Sequence, residues 1–228
     1  MLTLEHLSVT IDEKPIVSDI SLTFSPGKIY CLLGHNGSGK SSLAFALMGH
    51  PRYQASGFLT KDGKDILSMS VNERALAGMF LSFQNIPEIP GVRVLEYLRT
   101  IYNIRLKQKD PSSKGISSFL FRRYIAPMRE ALGVDEKFLD RDLYVGFSGG
   151  EKRKLELLQI RLLDPDCILL DEIDSGLDIG AVKLLSEEII RLRKEGKTVI
   201  MITHNFHLLD TIEPDAVIVM SAGKILRE

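Results

Sequence analysis

Gly34-His35-Asn36-Gly37-Ser38-Gly39-Lys40-Ser41 is the stretch on which the reading of this chain turns. It has the spacing G-x-x-x-x-G-K-[ST], follows a near-continuous apolar run at 28–33, and leads into 41–48, whose body LAFALM reads as a helix. Glycines let successive backbone N–H groups curl around an anion with no Cβ in the way, and the helix start adds partial positive charge at the same place. Lys40 supplies a full positive charge for phosphate oxygens, and Ser41 a hydroxyl suited to a hard divalent cation. Strand, glycine loop and helix in that order predict a phosphate cradle. Its candidate nucleotide contacts are Gly34, His35, Asn36, Gly37, Ser38, Gly39, Lys40, Ser41 and Ser42.

Working outward, residues 2–10 and 16–24 are apolar with polar interruptions up to the turn Ser25-Pro26-Gly27, and predict strands. Residues 57–67 read as a hairpin around Asp62-Gly63, and 79–83 as a buried strand ending at Gln84. Between 84 and 163 the texture changes. Helical periodicity governs 94–105 and 119–132, and the polar stretch 107–114, with Pro111-Ser112-Ser113, predicts a flexible surface loop. Strand–helix alternation then resumes: strand 167–170, helix 179–194, strand 198–202, helix 206–211, strand 216–220. Such alternation implies a parallel sheet with right-handed crossovers. One domain of 228 residues is expected, with an α/β nucleotide-binding core of 1–84 and 164–228 interrupted by a helical insertion over 85–163.

Two further clusters carry chemistry. Asp171-Glu172 ends an apolar strand, where Asp171 can face the phosphate loop across the sheet and serve Mg²⁺. Glu172 is then placed to orient or deprotonate an attacking water, the other requirement of phosphoryl transfer. Two acids at a strand end are otherwise a solvated terminus; the phosphate loop upstream changes that reading. Phe147-Ser148-Gly149-Gly150-Glu151-Lys152-Arg153 opens a helix with serine at its cap and flexible backbone in its first turn, a second anion cradle.

Ser148-Gly149-Gly150-Glu151 resembles the signature motif of ABC ATPases, and other landmarks of that family follow in order. Gln84 stands at its Q-loop, Ser175-Gly176-Leu177-Asp178 resembles its D-loop, and His204 matches its switch histidine. The resemblance implies a P-loop NTPase core with an N-terminal antiparallel β subdomain and an inserted helical signature subdomain. It implies ATP and Mg²⁺ as ligands, with Ser41, Gln84 and Asp171 completing the metal site and His204 contacting the γ-phosphate. It further implies a transient ATP-dependent head-to-tail homodimer, in which Ser148, Gly149, Gly150 and Asp178 of one copy help to enclose the ATP of the other.

Within that family the chain is similar to the ATPases of the SUF iron–sulfur cluster assembly system. Phe83-Gln84 with Glu88-Ile89-Pro90-Gly91-Val92, Val145–Lys152, Asp174–Ile179 and Thr203-His204 carry the likeness, which covers nearly the whole chain. Transporter ATPases usually read L-S-G-G-Q at the signature; Phe147 and Glu151 depart from that. The resemblance implies SufB- and SufD-like scaffold partners, docked near 84–92, and a cytoplasmic location. Ile173, Ser42 and His35 stand where the family more often has proline or a small residue, threonine and proline; none removes a catalytic group. No aromatic at 11–16 offers an adenine platform, and the chain reaches Glu228 without the terminal helix common in this branch. The alternative is the nucleotide-binding subunit of a membrane ABC transporter, which shares the ATP chemistry and differs in partner. A DNA-repair or chromosome-binding ATPase would need a long coiled coil between Gln84 and Ser148, for which the stretch is too short.

Composition agrees with that division. The 44% apolar and 26% charged residues are ordinary for a packed domain, and a net charge of −1 gives no electrostatic case for nucleic acid or an anionic membrane. No basic segment followed by an apolar one opens the chain, and no apolar run approaches the ~20 residues that cross a bilayer, so no direct membrane insertion is expected. Cys31 and Cys167 sit in apolar runs and read as buried; two are too few for a four-thiolate cluster site.

Overall fold

The computed structural model describes residues 1–203 and 205–227, with Phe206 described in its backbone alone. The chain divides into two compact units, one of Met1–Gln84, Pro165–Asp174 and Ser186–Glu228, the other of Asn85–Asp164 and Ser175–Leu185.

In the first unit an antiparallel sheet has the order β2-β1-β4-β5, built from β1 (Leu2–Ile11), β2 (Lys14–Phe24), β4 (Gln54–Lys61) and β5 (Lys64–Asp65). Its inward residues explain its irregularity. Leu2 and Leu4 are followed by Leu7 and Val9, and Val17 by Ile20, Leu22 and Phe24, all buried. A spacing of three cannot keep both residues on one face of a period-two strand. The extra residues are taken up at His6 (φ 50°) and Asp19 (φ 55°), where the β1–β2 register shifts. Gly57 on β4 accepts the kink, since a Cβ there would lie 2.4 Å from the His6 carbonyl oxygen. Asp62-Gly63 (φ 52° and 77°) forms the expected hairpin turn.

The second sheet has the order β12-β11-β3-β10-β9-β6, from β3 (Ile29–Leu33), β6 (Met79–Ser82), β9 (Cys167–Asp171), β10 (Thr198–Ile202), β11 (Ala216–Ser221) and β12 (Lys224–Arg227). All pairings are parallel except β11–β12. β9 and β10 are buried throughout, which is why their sequences are unbroken apolar runs rather than alternating ones. Burial pushes the Cys31 and Cys167 thiols up to about 12, so both stay protonated at neutral pH.

α1 (Lys40–Met48) buries Leu43, Ala46 and Leu47 in this unit's core. Its C-terminus is held by a residue to which the sequence reading assigned no role. Arg74, on the short α2 (Val71–Leu76), is buried and donates to the carbonyls of Ala46 and Leu47 (2.8 Å each), Leu67 (2.7 Å) and Met69 (3.0 Å). Helix-end carbonyls need such donors. Arg74→Met is expected to destabilise the chain by about 3 kcal/mol, because buried acceptors would lose a charged donor; a thermal melt superposing on wild type would refute this.

The second unit holds α3 (Val94–Lys109), α4 (Ser118–Ala131), a 3-10 turn (Glu136–Asp140), the strand pair β7 (Ile89–Arg93) and β8 (Asp142–Leu143), and α5 (Gly149–Leu163). The loop expected at 107–114 begins later, because α3 continues through Lys109. Lys107 and Lys109 in its last turn suit the negative end of the helix dipole. Asp110 then turns the chain, its carboxylate accepting from the Ser112 N–H. α6 (Ile179–Lys194) contributes its first residues to this unit and the rest to the first, and α7 (Phe206–Ile212) completes the elements. Among the described residues no helix is long and apolar enough to cross a membrane.

Candidate active site

β3 delivers the chain into the glycine loop, and three of its residues could hardly be anything but glycine. Gly34 (φ 151°) leaves a Cβ only 2.2 Å from the Met220 carbonyl oxygen, and Gly37 and Gly39 lie at φ 79° and 102°. α1 starts at Gly39 with no side-chain cap, so the first N–H groups of the helix face the loop. Lys40 is 5% exposed, and its ammonium donates to the carbonyls of Gly34 (2.7 Å) and His35 (3.1 Å) and to Ser38 Oγ (3.4 Å). Burial pulls its pKa below the usual lysine range, with Glu172 and Asp171 opposing that pull. His35 turns outward, engaging the Asn36 carbonyl (2.8 Å) and Ser221 Oγ (3.2 Å).

Two acids complete the same end of the sheet. Asp171, 2% exposed at the end of β9, accepts from Ser41 Oγ at 3.1 Å. Glu172 follows with φ 48°, a conformation unusual for glutamate, and its N–H is tied to the Ile202 carbonyl at 2.9 Å. Its Oε2 accepts from Gln84 Nε2 at 2.5 Å. Phe83, just before Gln84, stacks on Phe45 of α1 at 5.8 Å, and Phe45 stacks on Tyr53 at 5.1 Å, so aromatic packing carries Gln84 to the site. Of the three residues expected at the metal, Ser41 is joined to Asp171, and Gln84 reaches the neighbouring Glu172. Buried Thr203, just past β10, donates to Asp174 Oδ2 at 2.8 Å and accepts from the Asn205 N–H at 2.9 Å. The sequence reading gave Thr203 and Asp174 no chemical role; a hydroxyl one residue past one buried strand and an acid three residues past another was the available signal. His204 lies outside the described residues.

In the second unit Ser148 caps α5 in a reciprocal pair. Its Oγ accepts from the Glu151 N–H (3.3 Å), and the Glu151 carboxylate accepts from the Ser148 N–H (2.7 Å). That backbone bond, the largest cause, holds the Glu151 carboxyl below the usual range. A Cβ at Gly149 or Gly150 would meet nothing within 4 Å, so these glycines leave an open surface rather than serving close packing. Asp178 is exposed and accepts from the Ala181 N–H at 2.7 Å, at the start of α6.

The family model described as ABC transporter matches residues 17–175. The chain belongs to the ABC family. This ABC cassette is 43% identical over 227 residues to vegetative protein 296 of Bacillus subtilis, covering 99% of the chain and 85% of that protein. It is 39% identical to the probable ATP-dependent transporter slr0075 of Synechocystis, over 99% of the chain and 88% of the relative. A probable ABC transporter ATP-binding protein of Streptococcus pyogenes is 40% identical over 99% of the chain and 87% of the relative. Among solved structures, the dimeric ATP-binding cassette MJ0796, bound to ADP and Pi, matches the fold with a TM-score of 0.82 at 19% identity, over 100% of this chain and 97% of that one. The cassette is thus an ATP-binding ATPase with the mixed parallel and antiparallel fold of its family.

Proposed function

We propose that this cassette is a SufC-type ATPase that dimerises on ATP and drives a conformational change in a soluble iron–sulfur cluster assembly scaffold. The observation that carries the ATPase chemistry is the convergence of Lys40, the Ser41–Asp171 pair and Glu172 at one end of the parallel sheet. Lys40 and the N–H groups of the glycine loop bind the phosphates. Ser41 and Asp171 offer hard oxygen donors 3.1 Å apart, which fits Mg²⁺, and Gln84 would join them through its amide oxygen. Bound there, Mg²⁺ would neutralise charge on the β/γ-phosphates. Glu172 orients the attacking water and takes its proton at the carboxylate. Its bond from Gln84 must loosen first, since the amide Nε2 occupies a carboxylate oxygen that would accept from the water. His204 would contact the γ-phosphate. Ser148, Gly149, Gly150 and Asp178 of a second copy would close over the nucleotide.

The SUF-type partner is supported by Phe147 and Glu151 at the signature and by the segment after Gln84. Pro87 and Pro90 pre-order that segment, and Ile89 is 40% exposed on β7. Ile89→Asp is expected to abolish capture by a SufB–SufD-like scaffold while the melting temperature and basal ATPase stay at wild-type values. A large fall in melting temperature would show that Ile89 is core. The purified cassette should be a slow ATPase, accelerated severalfold by that scaffold and not by membrane permease subunits. The second reading, a transporter subunit, is favoured by the word transporter in the names of several relatives. Pull-down of a polytopic permease in place of soluble scaffolds would decide for it.

A further inference from the structure

The loop that presents Ser148 is fastened to its own helix by a buried polar relay. Gln159, on α5 three turns beyond the signature, is 5% exposed. Its Nε2 donates to the Tyr144 hydroxyl at 2.5 Å, and its Oε1 accepts from the Tyr97 hydroxyl of α3 at 3.1 Å. Both phenols are pushed up, by burial first and then by Glu156, and so keep their protons. The chain bends sharply here: Tyr144 sits at φ 65°, unusual for an aromatic residue, and Gly146 at φ 65°. From Tyr144 only Val145, Gly146 and Phe147 separate the anchor from Ser148. Those residues are held in turn by Arg141, whose Nη2 donates to the Val145 (2.8 Å) and Gly146 (3.2 Å) carbonyls while its guanidinium lies 4.7 Å from the Phe147 ring.

A buried amide meeting two phenols is an expensive arrangement unless every partner is present, and an apolar residue would fill the same space without that demand. A strained aromatic next to a functional loop persists only where its surroundings over-determine it. We infer that Gln159 is a positioning residue: through Tyr144 it fixes the backbone that presents Ser148, Gly149 and Gly150 to the ATP held by a second copy. Tyr97 orients the amide so that its N–H points at Tyr144. This rests on the composite-site reading proposed above.

The test uses full-length chain carrying Glu172→Gln, so that the ATP-bound dimer accumulates, and compares it with the same chain also carrying Gln159→Met or Tyr144→Phe. ATP binding to the monomer, by calorimetry, should not change, because the phosphate loop belongs to the other unit. The protein concentration at half-dimerisation should rise roughly tenfold, the size of one lost buried hydrogen bond. In the Glu172 background of wild type, kcat at saturating protein concentration should return to its normal value. A lowered melting temperature with an unchanged dimerisation midpoint would make the relay merely structural and overturn the inference. Should Gln159→Met fail to fold, the milder Tyr144→Phe decides by the same two readings. If the Glu172→Gln parent shows no ATP-dependent dimer, the composite reading itself falls, and this inference with it.

Discussion

Lys40→Ala should lose ATP binding and hydrolysis together. The ammonium is the phosphate loop's one full positive charge, and it is already desolvated, so its attraction for phosphate is little screened. It also ties the Gly34 and His35 carbonyls, which hold the loop in its curled form. Losing charge-assisted bonds of this kind removes about 3 kcal/mol of binding, or ~100-fold in affinity. Calorimetry is the direct measurement. A dissociation constant within a few-fold of wild type would place the phosphate site elsewhere on the chain.

Glu172→Gln should leave ATP binding intact and slow turnover by roughly 10²–10⁴, the share of a positioned base. The substitution is nearly isosteric, and the new amide keeps an oxygen to accept from Gln84, so the φ 48° backbone and its bond to Ile202 have no reason to move. What disappears is the ability to take a proton. Single-turnover hydrolysis with saturating ATP reads that loss without interference from product release. A wild-type rate would move the base elsewhere, with His204 the first residue to replace.

How much of this was legible in the sequence follows from where the determining contacts lie. The parallel strands could be read because β9 and β10 are buried on both faces and their residues are correspondingly apolar. The glycine loop could be read because only glycine fits at Gly34, against the Met220 carbonyl. The bulges at His6 and Asp19 were written in the spacing from Leu4 to Leu7 and from Val17 to Ile20, which a plain strand reading passes over. α2 was announced by Ser70-x-x-Glu73, a capping box too short-lived to register as helical periodicity. Arg74 gave no warning, because its partners are carbonyls, which every residue carries.

The site divides in the same way. Ser41 and Asp171 could be paired from the order of strands, since Asp171 ends one strand of the parallel sheet and Ser41 lies in the first turn of the helix reached from the end of another. That Gln84 meets Glu172 depends on side-chain reach and on the Phe45–Phe83 stack, neither of which has a sequence pattern. The Gln159 relay is of the same kind: its three residues lie far apart in the chain and converge only through packing within the second unit.

The central claim is that one ATP is enclosed by two copies of this chain, and sedimentation equilibrium of the Glu172→Gln protein with Mg²⁺ and ATP tests it most directly. The account predicts a monomer without nucleotide or with ADP, and a dimer with ATP whose formation is lost when Ser148 is replaced by arginine at the cap of α5. A protein that stays monomeric with ATP bound at every accessible concentration, and hydrolyses at a specific rate independent of its own concentration, would contradict it.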